Sequence, residues 1–302
     1  MSTTQTNQTT EMTTGSVTSK DGTRIGYLRT GTGPAVVLLH GSMQSASSHT
    51  QLALALADEF TVYLPDRRGH GTSGPWGPDY GIRTEVEDLE AMLAESGARL
   101  VFGVSSSGLI ALEAARTLPG IDKVVVYEPA LLMGDSTRYT QWLTQFDEEM
   151  AEGKVAAALI TSMHGLGLAP AAFRVMPRRL LEGLTNMAMK SEDKKAAEGA
   201  PTMRSLAPTL HCEGTLVAEM AGSIDTFRDI SAEVLLLGGS KGLPYLKPAL
   251  TALEQTLPHS QRVELPGLDH GGPGDPGDPS NTNRAGQPEV VAREVRRFFA
   301  QS

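Results

Sequence analysis

One cysteine, Cys212, occurs in 302 residues, so the chain cannot form an internal disulfide. A single thiol fits a reducing compartment, and a cytoplasmic protein is the expectation. No Cys/His cluster has metal-ligand spacing, so neither a metal nor any other cofactor is expected. No uninterrupted apolar run approaches the roughly 18 residues that a membrane helix needs. The segment Met1–Ser16 is almost entirely Thr, Ser, Gln and Asn, with neither a basic start nor an apolar stretch. It reads as a disordered tail and not as a secretory signal. Basic residues are also scarce: 26 Lys and Arg face 35 Asp and Glu, a formal net charge of −9. Binding to a phosphate backbone relies on clustered cations, so nucleic acid is excluded as a partner.

Present instead is enough apolar material, 40% of the chain, for a large core. Strands are expected near 16–20, 24–29, 35–39 and 60–64, at Lys123–Tyr127, at Ala232–Leu237 and at Arg262–Leu265. Helices are expected at 45–57, 82–96, beyond Ser105 to about Leu118, at Leu246–Leu257 and at Pro288–Ala300. Strands alternating with helices predict an α/β fold with a doubly wound, mostly parallel sheet. The alternation stops after Pro129, and residues 131–230 show only helical stretches: Ser136–Ala151, Val155–Met163, Phe173–Met189 and Gly214–Met220. That segment reads as a helical cap inserted in a core of residues 17–130 and 231–302, with 1–16 as the tail. No internal repeat is evident.

Chemistry is concentrated around Arg99–Gly108, R-L-V-F-G-V-S-S-S-G. A short apolar strand here runs into a small-residue turn and then into the helix-forming L-I-A-L-E-A-A-R. A nucleophile held between strand end and helix start has a cramped backbone and needs small neighbours, which Gly103, Ser107 and Gly108 supply. The helix N-terminus would aim N–H groups at a reacting oxygen. Ser105 is therefore the candidate nucleophile, with Ser106 or Ser107 as the alternatives. V-E-L-P-G-L-D-H ends a strand and leaves His270 in a loop, where a general base could reach back to Ser105. His40 and His70 read as structural histidines, and His164, His211 and His259 as surface or cap residues.

Together with A-V-V-L-L-H-G-S at 35–42 and T-V-Y-L-P-D-R-R-G-H-G at 61–71, these segments resemble the α/β-hydrolase family over nearly the whole chain. The resemblance implies an acid completing a Ser–His–acid triad, usually placed after the seventh strand. Here no Asp or Glu occurs from Val234 through Leu253. Glu233 sits at the wrong end of its strand, Glu254 lies inside a helix, and Asp269 adjoins His270 and should point elsewhere. Glu128 directly follows V-V-V-Y, at the carboxyl edge where such sheets build their sites, and is the candidate acid. The competing reading is that it braces the cap hinge beside Pro129. Oxyanion donors in elbow enzymes are the N–H after the nucleophile and one from the loop after the third strand. These are Ser106 and Ser42, with Gly41 as a substitute.

For substrate, the candidate contacts are Trp142, Met133, Phe146 and Met163 of the cap, which suggest an apolar pocket roof; ordinary core packing is the competing explanation. A small-molecule hydrophobic ester or lactone is the expected partner, and a homo-oligomer remains compatible with the sequence. The G-x-S-S of 103–106 and the E-P after the sixth strand are similar to lactonases that open the macrocyclic lactone zearalenone, which implies macrolactone hydrolysis. Carbon–carbon bond hydrolysis, acyl transfer, cofactor-free perhydrolysis and a non-catalytic small-molecule receptor are the other readings of such a fold. The run at 271–283 loosely evokes a calcium loop, but its spacing is not that of an EF-hand, and it reads as an exposed loop.

Overall fold

The chain begins, in the computed structural model, with an antiparallel pair, β1 (Thr13–Thr18) and β2 (Arg24–Gly31), joined by a turn at Asp21 and Gly22. The structure describes residues 11–134, 137–169, 171–197, 200–276 and 286–301. Because β1 starts at Thr13, a tail boundary at Ser16 falls inside a strand. Thr13–Ser16 pair with Gly26–Arg29, and backbone pairing along a sheet edge orders a segment that composition alone reads as loose.

The core continues with β3 (Ala35–Leu39), α1 (Thr50–Leu56), β4 (Thr61–Pro65), α2 (Ile82–Ser96), β5 (Leu100–Val104), α3 (Ser106–Thr117) and β6 (Lys123–Tyr127). The segment between β6 and β7, the expected cap, contributes α4 (Thr137–Ala151), α5 (Val155–Gly165), α6 (Ala171–Arg174), α7 (Arg178–Lys195), α8 (Met203–Leu206) and α9 (Thr209–Glu219). Then come β7 (Glu233–Gly239), α10 (Lys247–Thr256), β8 (Ser260–Leu265) and α11 (Pro288–Phe299). Two cap helices differ from the expected bounds: α7 starts only after Pro177, and α9 already starts after Pro208, since proline is tolerated at a helix entry but not in its interior.

The eight strands form one sheet in the order β1-β2-β4-β3-β5-β6-β7-β8. The β1–β2 and β2–β4 pairs are antiparallel and the remaining pairs parallel. Every residue of β4 and β6 is buried, as expected of central strands covered on both faces. On one face α2, α3 and α10 pack with Val101, Val124, Val126 and Leu236; on the other α1 and α11 pack with Phe102, Val125 and Leu235. The register places Val104 beside Tyr127, so the residues that follow, Ser105 and Glu128, leave the sheet side by side at its carboxyl edge. No helix among the described residues is long and apolar enough to cross a membrane.

Candidate active site

Ser105 stands between β5 and α3 with φ of 57°, a conformation that side chains with a Cβ rarely adopt. Its surroundings enforce the turn. A Cβ on Gly103 would sit 2.4 Å from the Ser107 carbonyl oxygen, and one on Gly108 2.9 Å from Pro129 Cβ. Ser107 is buried, its hydroxyl accepting from Val104 N–H at 2.9 Å and lying 2.9 Å from the Leu39 and Val104 carbonyls. Ser106 Oγ is likewise buried and accepts from Arg67 at 3.3 Å. Of the three serines, Ser105 is the one that meets a histidine: His270 Nε2 lies 3.1 Å from its Oγ.

His270 Nδ1 in turn lies 2.8 Å from Glu128 Oε2. Glu128 is 2% exposed and also has positive φ, 44°. Its carboxylate is answered by the end of β7 and the turn that follows: Gly239 N–H donates to Oε1 at 2.9 Å and Leu243 N–H to Oε2 at 3.4 Å. The place where related folds carry their acid is here a cradle of backbone donors for an acid arriving from the neighbouring strand. The histidine loop is pinned by Tyr127, whose hydroxyl donates to the Asp269 carbonyl at 2.6 Å. The Asp269 carboxylate accepts from Gly271 N–H at 3.0 Å, whereas His270 Nδ1 meets Glu128.

The third non-glycine residue with positive φ among the described residues is Met43, at 56°, in the loop after β3. All three such residues border one site, and backbone strain of this kind collects where geometry is over-determined by function. In the Met43 loop, Gly41 N–H donates to Gln44 Oε1 at 2.8 Å and so is turned from the site. Gly41 as a substitute oxyanion donor is corrected on that ground. Its carbonyl accepts from His40 Nδ1 at 2.9 Å, while His40 Nε2 accepts from Arg67 N–H at 3.0 Å, which fixes the proton on Nδ1. Burial, with the His70 and Arg67 charges added, holds the His40 imidazole well below its usual range and keeps it neutral. Because Gly41 C=O and Ser42 N–H belong to one trans peptide, holding the carbonyl aims the Ser42 N–H the opposite way. The Ser106 N–H, first of α3, has no place in the helical ladder.

Below the elbow lies a buried ionic cluster that the sequence did not disclose. Arg67 donates to Glu85 at 2.7 Å and to Glu213 of α9 at 2.6 Å. Burial alone would raise the Glu85 carboxyl, but the Arg67 charge together with the hydrogen bonds from Arg67 and Tyr80 keeps it below the usual range. Glu219, also on α9, accepts from Ile82 N–H at 2.9 Å. Thus α9 fastens the cap to the core at two points. The only hint in the sequence is the pair of arginines in P-D-R-R-G.

The proposed cap contacts separate into two pairs. Trp142 and Phe146 stack edge-to-face at 5.6 Å and are 7% and 1% exposed, forming the cap's own core with Ala158 and Leu210. Phe146 as a substrate contact is corrected: it presents almost no surface. Met133 is 40% exposed and Met163 half-buried, so each retains surface to offer a ligand. Met43 packs against the Trp142–Phe146 cluster, linking the strained loop to the cap. Asp275 is buried and accepts from Gln51 N–H at 2.9 Å and from the Thr50 hydroxyl, so it caps α1. The rest of the 271–283 run, from 277 on, lies outside the described residues, and no group of three or more metal-ligating side chains occurs among those that are described.

A strained serine on a strand–helix turn, a histidine after the last strand and a buried carboxylate on the adjacent strand are the constellation of a hydrolase built on this sheet. Residues 36–282 match the Alpha/beta hydrolase family, and the chain belongs to it. It is similar to the pimeloyl-(acyl-carrier protein) methyl ester esterase of Stenotrophomonas maltophilia, 27% identical over 257 residues, covering 80% of this chain and 87% of that protein. The uncharacterized hydrolase YraK of Bacillus subtilis is 30% identical over 169 residues, 54% of this chain and 62% of its own length. Among solved structures, an α/β hydrolase from Sphaerobacter thermophilus superposes with a TM-score of 0.73 at 28% identity, covering 95% of this chain and all of the other. An enol-lactonase from Burkholderia xenovorans shares the fold at a TM-score of 0.64 and 18% identity, covering 95% of this chain and 100% of its own.

Proposed function

We propose that this protein is a serine hydrolase that cleaves a hydrophobic carboxylic ester or lactone through an acyl-enzyme, with Ser105, His270 and Glu128 as its triad. The observation that carries the proposal is the continuous contact from Ser105 Oγ to His270 Nε2 and from His270 Nδ1 to Glu128 Oε2, at 3.1 and 2.8 Å. A serine hydroxyl is a weak nucleophile near neutral pH until an imidazole accepts its proton. In this reading His270 receives that proton at Nε2 as Ser105 Oγ bonds to the carbonyl carbon. Glu128 accepts the Nδ1–H bond, holding the tautomer and steadying the imidazolium. The negative oxygen of the tetrahedral intermediate is taken by the N–H groups of Ser106 and Ser42. Collapse breaks the ester C–O bond, and His270 returns the proton to the departing alkoxide oxygen. Water then repeats the sequence on the acyl-enzyme, releasing the acid and restoring Ser105.

The methyl ester esterase among the relatives favours carboxylic esters over other substrates of the fold. Within that class the preferred candidate is a zearalenone-like macrolactone, supported by Glu128 following the sixth strand and by the G-x-S-S of the elbow. Of the four candidate cap contacts, Met133 and Met163 retain surface to meet an apolar ring. A fluorophosphonate probe, together with a panel of aryl esters, aliphatic esters and macrolactones, tests both levels. Labelling confined to Ser105 and turnover of an ester are expected. A chain that neither reacts with the probe nor hydrolyses any panel member is a receptor on the same scaffold, and partition of the acyl group to an added alcohol would mark an acyltransferase.

A further inference from the structure

We propose that Gln44 and His49 form a clip that positions the oxyanion loop by tying it to the loop that carries His270. The inference rests on the ester-hydrolase reading and names two positioning residues for it. Gln44 Oε1 accepts two hydrogen bonds, from Gly41 N–H at 2.8 Å and from His49 Nε2 at 3.0 Å. The backbone donor identifies that atom as oxygen, so His49 Nε2 carries a proton. The other ring nitrogen, Nδ1, packs against the carbonyl of Pro273 at 3.2 Å, three residues past His270 in the sequence, a contact and not a hydrogen bond while the ring proton is on Nε2. His49 is 0% exposed and Gln44 8%, so these contacts are shielded from water.

The same two segments are joined by hydrogen bonds through Asp275, which also accepts from the Thr50 hydroxyl. Asp275 N–H donates to the Ser48 carbonyl at 2.9 Å, and the Asp275 carboxylate accepts from Gln51 N–H at 2.9 Å. Residues 48–51 therefore hold the chain just beyond His270, while Gln44 holds the chain just before Ser42. Gly41 is pressed against the nucleophile as well: a Cβ there would lie 3.2 Å from Gln44 Oε1 and 3.4 Å from Ser105 Cβ. A short path thus runs from the general base's loop through His49 and Gln44 to the peptide that precedes the oxyanion donor.

Electrostatic stabilisation of an oxyanion depends on donors fixed before the charge appears. Without the Gln44 oxygen, the buried Gly41 N–H loses its acceptor and the loop can relieve the strain at Met43 by turning. The Ser42 N–H would then be misdirected, which weakens transition-state binding and leaves ground-state binding alone.

The test uses the full chain, an aryl ester and an alkyl boronic acid as a probe that makes an anionic tetrahedral adduct at serine. Gln44→Met removes the oxygen at nearly constant volume. It is expected to lower kcat about 10- to 100-fold, below the roughly 10²–10³-fold of losing a donor outright, with KM changed less than about threefold. Boronate affinity should fall in parallel with kcat. Gln44→Glu, which keeps an oxygen in place, should recover most of both. Unchanged kcat and boronate affinity in Gln44→Met overturn the clip, as does a fall in kcat/KM carried by KM alone. If Gln44→Met does not fold, His49→Gln decides in the same way, with a smaller expected fall in kcat. Wild-type protein that hydrolyses no better than Ser105→Ala overturns the hydrolase reading and the clip together. Wild-type turnover with an unaffected Gln44→Met overturns the clip alone.

Discussion

Gly242 lies so close to Glu128 that a Cβ built on it would fall 1.6 Å from Oε1 and 2.5 Å from the carboxyl carbon. The end of β7 and the turn after it thus hold the carboxylate by their N–H groups, and Gly242 makes room for it by lacking a side chain. Gly242→Ala should push Glu128 off His270 and lower kcat by at least about 10²-fold, bounded by the roughly 10⁴-fold typical of losing an orienting acid. Steady-state kinetics on an aryl ester check this, and a near-normal kcat would show that the carboxylate can move freely.

Glu128→Gln keeps the shape and one acceptor but presents an amide to His270. We expect kcat to drop about 10⁴-fold with the thermal midpoint little changed. If turnover survives, another residue orients the imidazole.

Arg67 is 3% exposed and bridges Glu85 and Glu213, themselves 3% and 4% exposed. Arg67→Met leaves two buried carboxylates without their cation and should destabilise the fold by about 3–5 kcal/mol. Urea unfolding measures it, and a loss under about 1 kcal/mol contradicts the assignment of Arg67 as the tie between core and cap.

Acid should weaken the fold before its carboxylates titrate. Burial lowers the pKa values of His40 and His70 from their ordinary 6.5. Below that pH the unfolded chain takes up protons that the folded chain refuses, so stability is fully present above about 6.5 and declines as pH falls toward 5. Each histidine contributes up to about 1.4 kcal/mol per pH unit. His70→Asn should flatten the fall of the thermal midpoint over this window; an identical slope would remove His70 from the explanation.

Cys212 is 3% exposed, and burial, followed by the Glu213 charge, pushes its thiol up to about 12. A disulfide reagent at pH 8 should leave the folded protein unmodified and take up one equivalent in urea. Rapid reaction of the native protein would show that α9 opens readily.

The doubly wound sheet was legible because buried parallel strands are short β-branched runs, as in V-V-V-Y, and because helices alternate with them. The elbow was legible because its steric demand selects glycine and serine at fixed offsets; Glu128 was a candidate through the family resemblance, which expects an acid where the segment after the seventh strand has none. Other features depend on partners far away in the chain. The G-G-S-K-G run that ends β7 and turns away from it reads as an ordinary turn until Glu128 is set against it. Asp275 reads as loop composition until α1 presents its N–H groups. Phe146 reads as a pocket residue, since an apolar stripe is the same in sequence whether it covers a ligand or a neighbouring helix.

By itself, then, the order of residues determined the strands, the helices and the cramped turn at Ser105, because those follow from local sterics and from the periodicity of apolar side chains. Only the folded chain decided which groups are consumed in holding others. Gly41 N–H is spent on Gln44, His40 is neutral with its proton on Nδ1, and Glu128 is satisfied by the end of β7 and the turn beyond it. Hydrogen bonds and buried charges are settled by distances of a few ångströms between residues far apart in the chain, 142 positions for His270 and Glu128 and 224 for Gln51 and Asp275. Spacing along a chain does not encode such distances.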